Sequence, residues 1–179
     1  MTIKQLDIGP NGTIDDALRG YFRDLVQDAF CSTQFQPSEH AEFYLVNLLA
    51  SAVNAKNIEV GAGLLNGVYR DAPLAIAYLE GINMAPPIKF WMMKSIGDFA
   101  LFHVGFFPQK FDKGVVKIDY FVTMGSNAYQ NIAHTRGYVF DELAQNFDQL
   151  CEALWIVSGN DRNHKYVLQG LREPNPKMH

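Results

Sequence analysis

The segment Ile96-Gly97-Asp98-Phe99-Ala100-Leu101-Phe102-His103-Val104-Gly105-Phe106-Phe107 is the most apolar in the chain, yet it carries one carboxylate and one imidazole. Wound at about 3.6 residues per turn, it has apolar side chains on nearly every face, which marks a helix covered on all sides. That helix is expected to run from Phe90 to Phe107 and to form the centre of the fold, with Gly97, Ala100 and Gly105 letting neighbouring helices come close. A carboxylate in such a place is strongly disfavoured unless it is paired and hydrogen-bonded. Asp98 and His103 are five residues apart and fall on different faces, so each needs a partner from another element, and Lys94 one turn earlier is a local counter-ion for Asp98.

Working outward, Ile14, Leu18, Tyr21, Phe22, Leu25, Val26, Ala29 and Phe30 recur at helical spacing behind Thr13, which is placed to cap them. Pro37 opens a second helix to about Ala55, with Phe43, Leu45, Leu48, Leu49 and Ala52 as its core face. Lys56 to Asp71 reads as a loop or short irregular helix, and Asp71 and Pro73 begin a short helix that ends before Ala85-Pro86-Pro87. Beyond the central helix, one helix spans about Val116 to His134, with Ile118, Phe121, Val122, Gly125, Tyr129 and Ile132 on one side. Tyr138 to Ser158 is the clearest amphipathic pattern, with Phe140, Leu143, Ala144, Phe147, Leu150, Cys151 and Leu154 inward. A terminal helix from Arg162 to Leu171 precedes a tail.

No alternating strand pattern, internal repeat or low-complexity linker is read in the sequence. The expected fold is all-α, one domain over residues 1–179 built as a helical bundle of about six or seven helices around the central one, with 1–12 extended and 172–179 frayed. At 179 residues and 48% hydrophobic, the chain can bury a core without metals or disulfides. Its two cysteines, Cys31 and Cys151, sit in apolar helical patterns and are expected to be buried free thiols.

A net charge of −4 and no run of Lys and Arg argue against a nucleic-acid partner. No stretch is apolar for long enough to span a bilayer, so no membrane partner is expected. MTIKQLDIGPNG at the start has neither a basic region nor an apolar one behind it, and the protein is placed in the cytoplasm. Gly61-Ala62-Gly63 with Gly67 touches the dinucleotide fingerprint, but outside a βαβ unit these glycines are loop punctuation. The Glu-x-x-His pairs of a di-iron bundle, a nucleophile motif and a Walker sequence are all lacking, so no catalytic residue and no cofactor is assigned.

Two polar stripes flank the central segment: His40, Tyr44, Asn47 and Ser51 on the second helix, and Asp119, Thr123, Ser126 and Gln130 on the fifth. If both turn inward, the interior holds a seam able to bind a small polar ligand or a metal. If they face solvent, Asp98 is satisfied by a helix terminus or a tyrosine hydroxyl. Trp91-Met92-Met93 lies near a helix start, where part of it is exposed and fits an oligomer interface.

Gly97-Asp98 with Ala100-Leu101 and Gly105-Phe106-Phe107, Asp119-Tyr120 with Met124-Gly125 and Ala128-Tyr129, and Phe140-Asp141-Glu142-Leu143 together resemble an uncharacterised family of bacterial helical proteins with no assigned activity. The resemblance implies a bacterial, all-helical protein and draws attention to Asp98, Asp119, Tyr120 and Tyr129. The expected function is non-catalytic, through protein contacts that include a homodimer. The alternative is a small-molecule or metal-binding protein, or an enzyme working through an unfamiliar site, with a polar site between helices and Asp98, His103, Tyr44, Asp119, Tyr120 and Tyr129 as candidate ligand-binding residues.

Overall fold

A computed structural model describes residues 13–53, 74–109, 117–135 and 138–159. These form seven helices and no strand: α1 (Ile14–Thr33), α2 (Glu39–Val53), α3 (Leu74–Ile82), α4 (Pro86–Phe106), α5 (Ile118–Gln130), α6 (Val139–Gln145) and α7 (Phe147–Val157). The expected all-α bundle is what is found. The glycines around 61–67, the loop over 56–71, the cap at 71–73, the terminal helix over 162–171 and both end segments lie outside the described residues.

α1 starts where the sequence places its cap. The Asp16 amide donates to Thr13 Oγ1 at 3.2 Å and the Thr13 amide donates to Asp16 Oδ2 at 3.1 Å, a reciprocal capping box. It ends at Gln34 in the left-handed region (φ 56°), with the Phe35 amide reaching back to the Phe30 carbonyl at 3.2 Å. α2 begins at Glu39, so Pro37 stands just outside the helix. Ser38 supplies the cap, its Oγ accepting from the Ala41 amide at 3.3 Å, while Glu142 of α6 accepts from both the backbone and the hydroxyl of Ser38.

The prolines do more than end α3. They occupy the first turn of α4, where the missing amide of Pro86 needs no partner, so the central helix starts four residues earlier than its apolar pattern. α4 packs most extensively on α5, then on α7 and α3. Phe90, Met93, Ile96, Ala100, Leu101 and Val104 are buried along it. The long amphipathic stretch from Tyr138 is two helices, not one, meeting at Asn146 (φ −110°, ψ 23°). The Asn146 side chain donates to the Glu142 carbonyl at 3.1 Å, a local bond of the kind that competes with regular helix. Every residue expected inward on this stretch is buried.

Several residues expected inward are exposed, Phe107 at the end of the central helix among them, and Leu18, Tyr21, Leu25, Leu48, Ala52, Phe121 and Val122 are half-buried. Phe43 is 55% exposed because the buried row on α2 is Ala41, Leu45 and Leu49 with Val46 and Ala50, and Phe43 lies two residues, about 200° round the helix, from both Ala41 and Leu45. Ile14, in the first turn of α1, is 64% exposed. Cys31 is exposed at the end of α1, whereas Cys151 is buried in α7. Burial, followed by the nearby Asp148 carboxylate, pushes the Cys151 thiol well above the usual range. A thiol-specific chromogenic reagent at pH 8 should therefore modify one thiol per native chain and both in denaturant. Equal fast reaction of both thiols in the native protein would contradict this packing.

Candidate functional site

Asp98 lies on the α5 side of α4, and both of its oxygens are used. Oδ1 accepts from the hydroxyl of Tyr44 on α2 at 2.5 Å and from the hydroxyl of Tyr129 on α5 at 2.7 Å. Oδ2 accepts from Lys94 Nζ at 2.5 Å, one turn earlier on the same helix. The Lys94 ammonium also stands 5.1 Å from the centroid of the Tyr44 ring, within range of a cation–π attraction. The charged carboxylate is thus held by one cation and two phenols drawn from three helices.

The aromatic side chains fix the two phenols. Tyr44 meets Tyr129 and Phe140 edge-on, with centroids 6.1 and 5.5 Å apart. Tyr129 is tilted against Phe140 and Phe147 at 5.7 and 5.9 Å, so α6 and α7 each supply one wall. Gly97 supplies the floor: a Cβ there would run into the Tyr129 ring. The adjacent pair Gly97-Asp98 therefore has two tasks, the glycine seating the ring and the aspartate taking its hydroxyl.

Burial and then the Asp98 charge raise both Tyr44 and Tyr129 well above the ordinary phenol value. Both remain neutral donors near neutral pH. Among the described residues no buried side-chain nitrogen or oxygen lacks a hydrogen-bond partner. The arrangement can hold a cation against Asp98 and tie α2, α4 and α5 together.

The other candidates lie elsewhere. His103 is half-buried, its Nδ1 2.8 Å from the Phe99 carbonyl and its ring stacked on Phe99 at 3.9 Å. Phe102 and Phe107 also meet that imidazole. Asp119 is exposed in the first turn of α5, and its Oδ1 accepts from the Tyr120 amide at 3.1 Å. Tyr120 packs edge-on against Phe121 at 5.3 Å. The two polar stripes do not converge as units. His40, Ser51, Asp119, Thr123 and Gln130 are exposed, and Asn47 accepts from Arg19 at 2.6 Å. Ser126 donates to the Ala144 carbonyl at 2.9 Å. Tyr44 alone of the eight reaches the carboxylate.

Phe140 as a shared wall and Gly97 as a ring seat were not read from the sequence as parts of this cluster. The signal was the glycine immediately before the lone carboxylate of an all-round apolar segment. Among the described residues no group of three His, Cys, Asp or Glu side chains is placed to hold a metal, and no helix is long and apolar enough to cross a membrane. Compared with family models, curated proteins and solved structures, the chain matches none of them.

Proposed function

We propose that this chain acts through contacts with other proteins, its own second copy first, as a non-catalytic cytoplasmic helical protein of bacterial type. The observation that carries the proposal is uncovered apolar surface on the α3–α4 hairpin. Ile76 and Leu79 lie one turn apart on α3 and are 44% and 58% exposed. Ile88 and Trp91, one turn apart on α4, are 54% and 50% exposed. Residues three apart share a helix face, so each helix presents a matched pair.

Fully covering side chains of this size contributes about 1.5–3 kcal/mol each relative to exposure, and these four are already about half covered. A stable interface buries roughly 1,600 Å² in total, so the four residues would be its apolar centre inside a polar rim. The polar cluster fits the same proposal, because both oxygens of the half-buried Asp98 are engaged by the chain's own donors.

Light scattering coupled to size exclusion tests it. The wild-type protein should elute with twice the chain mass, and Leu79→Glu or Trp91→Glu should give monomers with unchanged helical content. A wild-type monomer at every concentration up to the solubility limit would remove the proposal.

A further inference from the structure

We propose that Asp98, Tyr44 and Tyr129 form a recognition site for a small primary ammonium ion, with the Lys94 side chain as a tethered resident that a free alkylamine can displace. The proposal does not depend on self-association. It rests on how the Lys94 ammonium is held. An ordinary surface pair four residues apart joins one ammonium to one carboxylate in water. Here the ammonium meets Asp98 Oδ2 at 2.5 Å and also lies 5.1 Å from the centroid of a ring carried by a different helix.

The opposite oxygen is fixed by two phenol hydroxyls, so the carboxylate cannot rotate away when its cation leaves. A directed carboxylate together with an aromatic ring is the chemistry by which ammonium groups are recognised. The neighbouring rings of Phe140 and Phe147 hold this arrangement in place whether or not the lysine is present.

The site is also reachable. The Lys94 side chain is 29% exposed and that of Asp98 17%, so the lysine can swing into water and leave a short opening onto the carboxylate. The ligand class is narrow. The carboxylate selects a cation, its Oδ2 takes one N–H of an ammonium while the Tyr44 ring flanks that ammonium, and a short unbranched chain is what the lysine stem would leave room for. In the wild-type protein Lys94 competes at the high effective concentration of a tethered group, so a free amine binds weakly until the lysine is removed.

Lys94→Ala is the direct test, with n-propylammonium as the probe because it is the fragment that this substitution deletes. Thermal unfolding and calorimetric titration with n-propylammonium chloride should show saturable stabilisation and a Kd in the millimolar range. Neither sodium chloride at equal ionic strength nor n-propanol should reproduce the effect. The wild type should bind about tenfold more weakly or less, and Lys94→Ala/Asp98→Asn should not respond.

If Lys94→Ala does not fold without additive, refolding it from urea gives the same discrimination. Recovery in n-propylammonium but not in sodium chloride supports the site, and equal failure in both overturns it. A response no larger than that to sodium chloride or n-propanol, or one that survives Asp98→Asn, overturns it as well.

Discussion

Gly97→Ala should lower the stability to unfolding by about 3 kcal/mol, although alanine is the better helix former. The added methyl points into the ring of Tyr129, which is fully buried and cannot yield. Its hydroxyl is held by Asp98 at 2.7 Å and its ring is bounded by Phe140 and Phe147. Overpacking a rigid core site costs about 1–3 kcal/mol, and weakening a hydrogen bond to a charged acceptor adds about 1.5–3 kcal/mol. The helix-propensity gain of about 1 kcal/mol offsets only part of that. Gly20 is the control: nothing lies within 4 Å of a Cβ built there, so Gly20→Ala should stabilise the protein by up to about 1 kcal/mol. Urea unfolding monitored by helical circular dichroism measures both. A Gly97→Ala protein as stable as the wild type would mean that α4 and α5 are not in the contact described.

The same pair of residues shows what could be read from the sequence and what could not. The all-α class, the buried face of the last amphipathic stretch and the central position of α4 follow from periodicity alone, because each depends on which residues share a face. Asp98's need for partners, and Lys94 as one of them, also follows, since burying a carboxylate is costly and Lys94 is one turn away. Which distant residue answers that need is a matter of helix crossing, and no local pattern encodes it. Tyr44 and Asn47 look equivalent in the sequence stripe, yet one reaches Asp98 and the other accepts from Arg19 on α1. His103 stands out in the sequence as sharply as Asp98, but its Nδ1 faces a carbonyl of its own helix, that of Phe99. The break at Asn146 was hidden for a different reason: the apolar rhythm continues through it unchanged, and only the competing side-chain bond marks it.

Alkaline pH should unfold this protein steeply, and the two phenols should account for much of the slope. Tyr44 and Tyr129 titrate well above the ordinary value when folded, through burial first and the Asp98 charge second. In the unfolded chain both lose their protons near pH 10. Above that pH the native state therefore binds more protons than the unfolded state, so unfolding free energy falls as pH rises. The stability held by these groups is complete below the unfolded value and is lost progressively toward the raised folded values. Each tyrosine contributes a slope of about 1.4 kcal/mol per pH unit in that window. Cys151 acts in the same direction from a lower pH, and it cancels when variants that retain it are compared. Urea midpoints followed from about pH 9 to about pH 11 should therefore fall more steeply for the wild type than for Tyr129→Phe or Tyr44→Phe. The double variant should be the flattest of the four. Comparing slopes rather than absolute stabilities separates proton linkage from the loss of hydrogen bonds, which lowers the Phe variants equally at every pH below the window. Parallel slopes in all four proteins would place both hydroxyls in water, and Asp98 would then lack the two donors from α2 and α5 that hold its carboxylate in place.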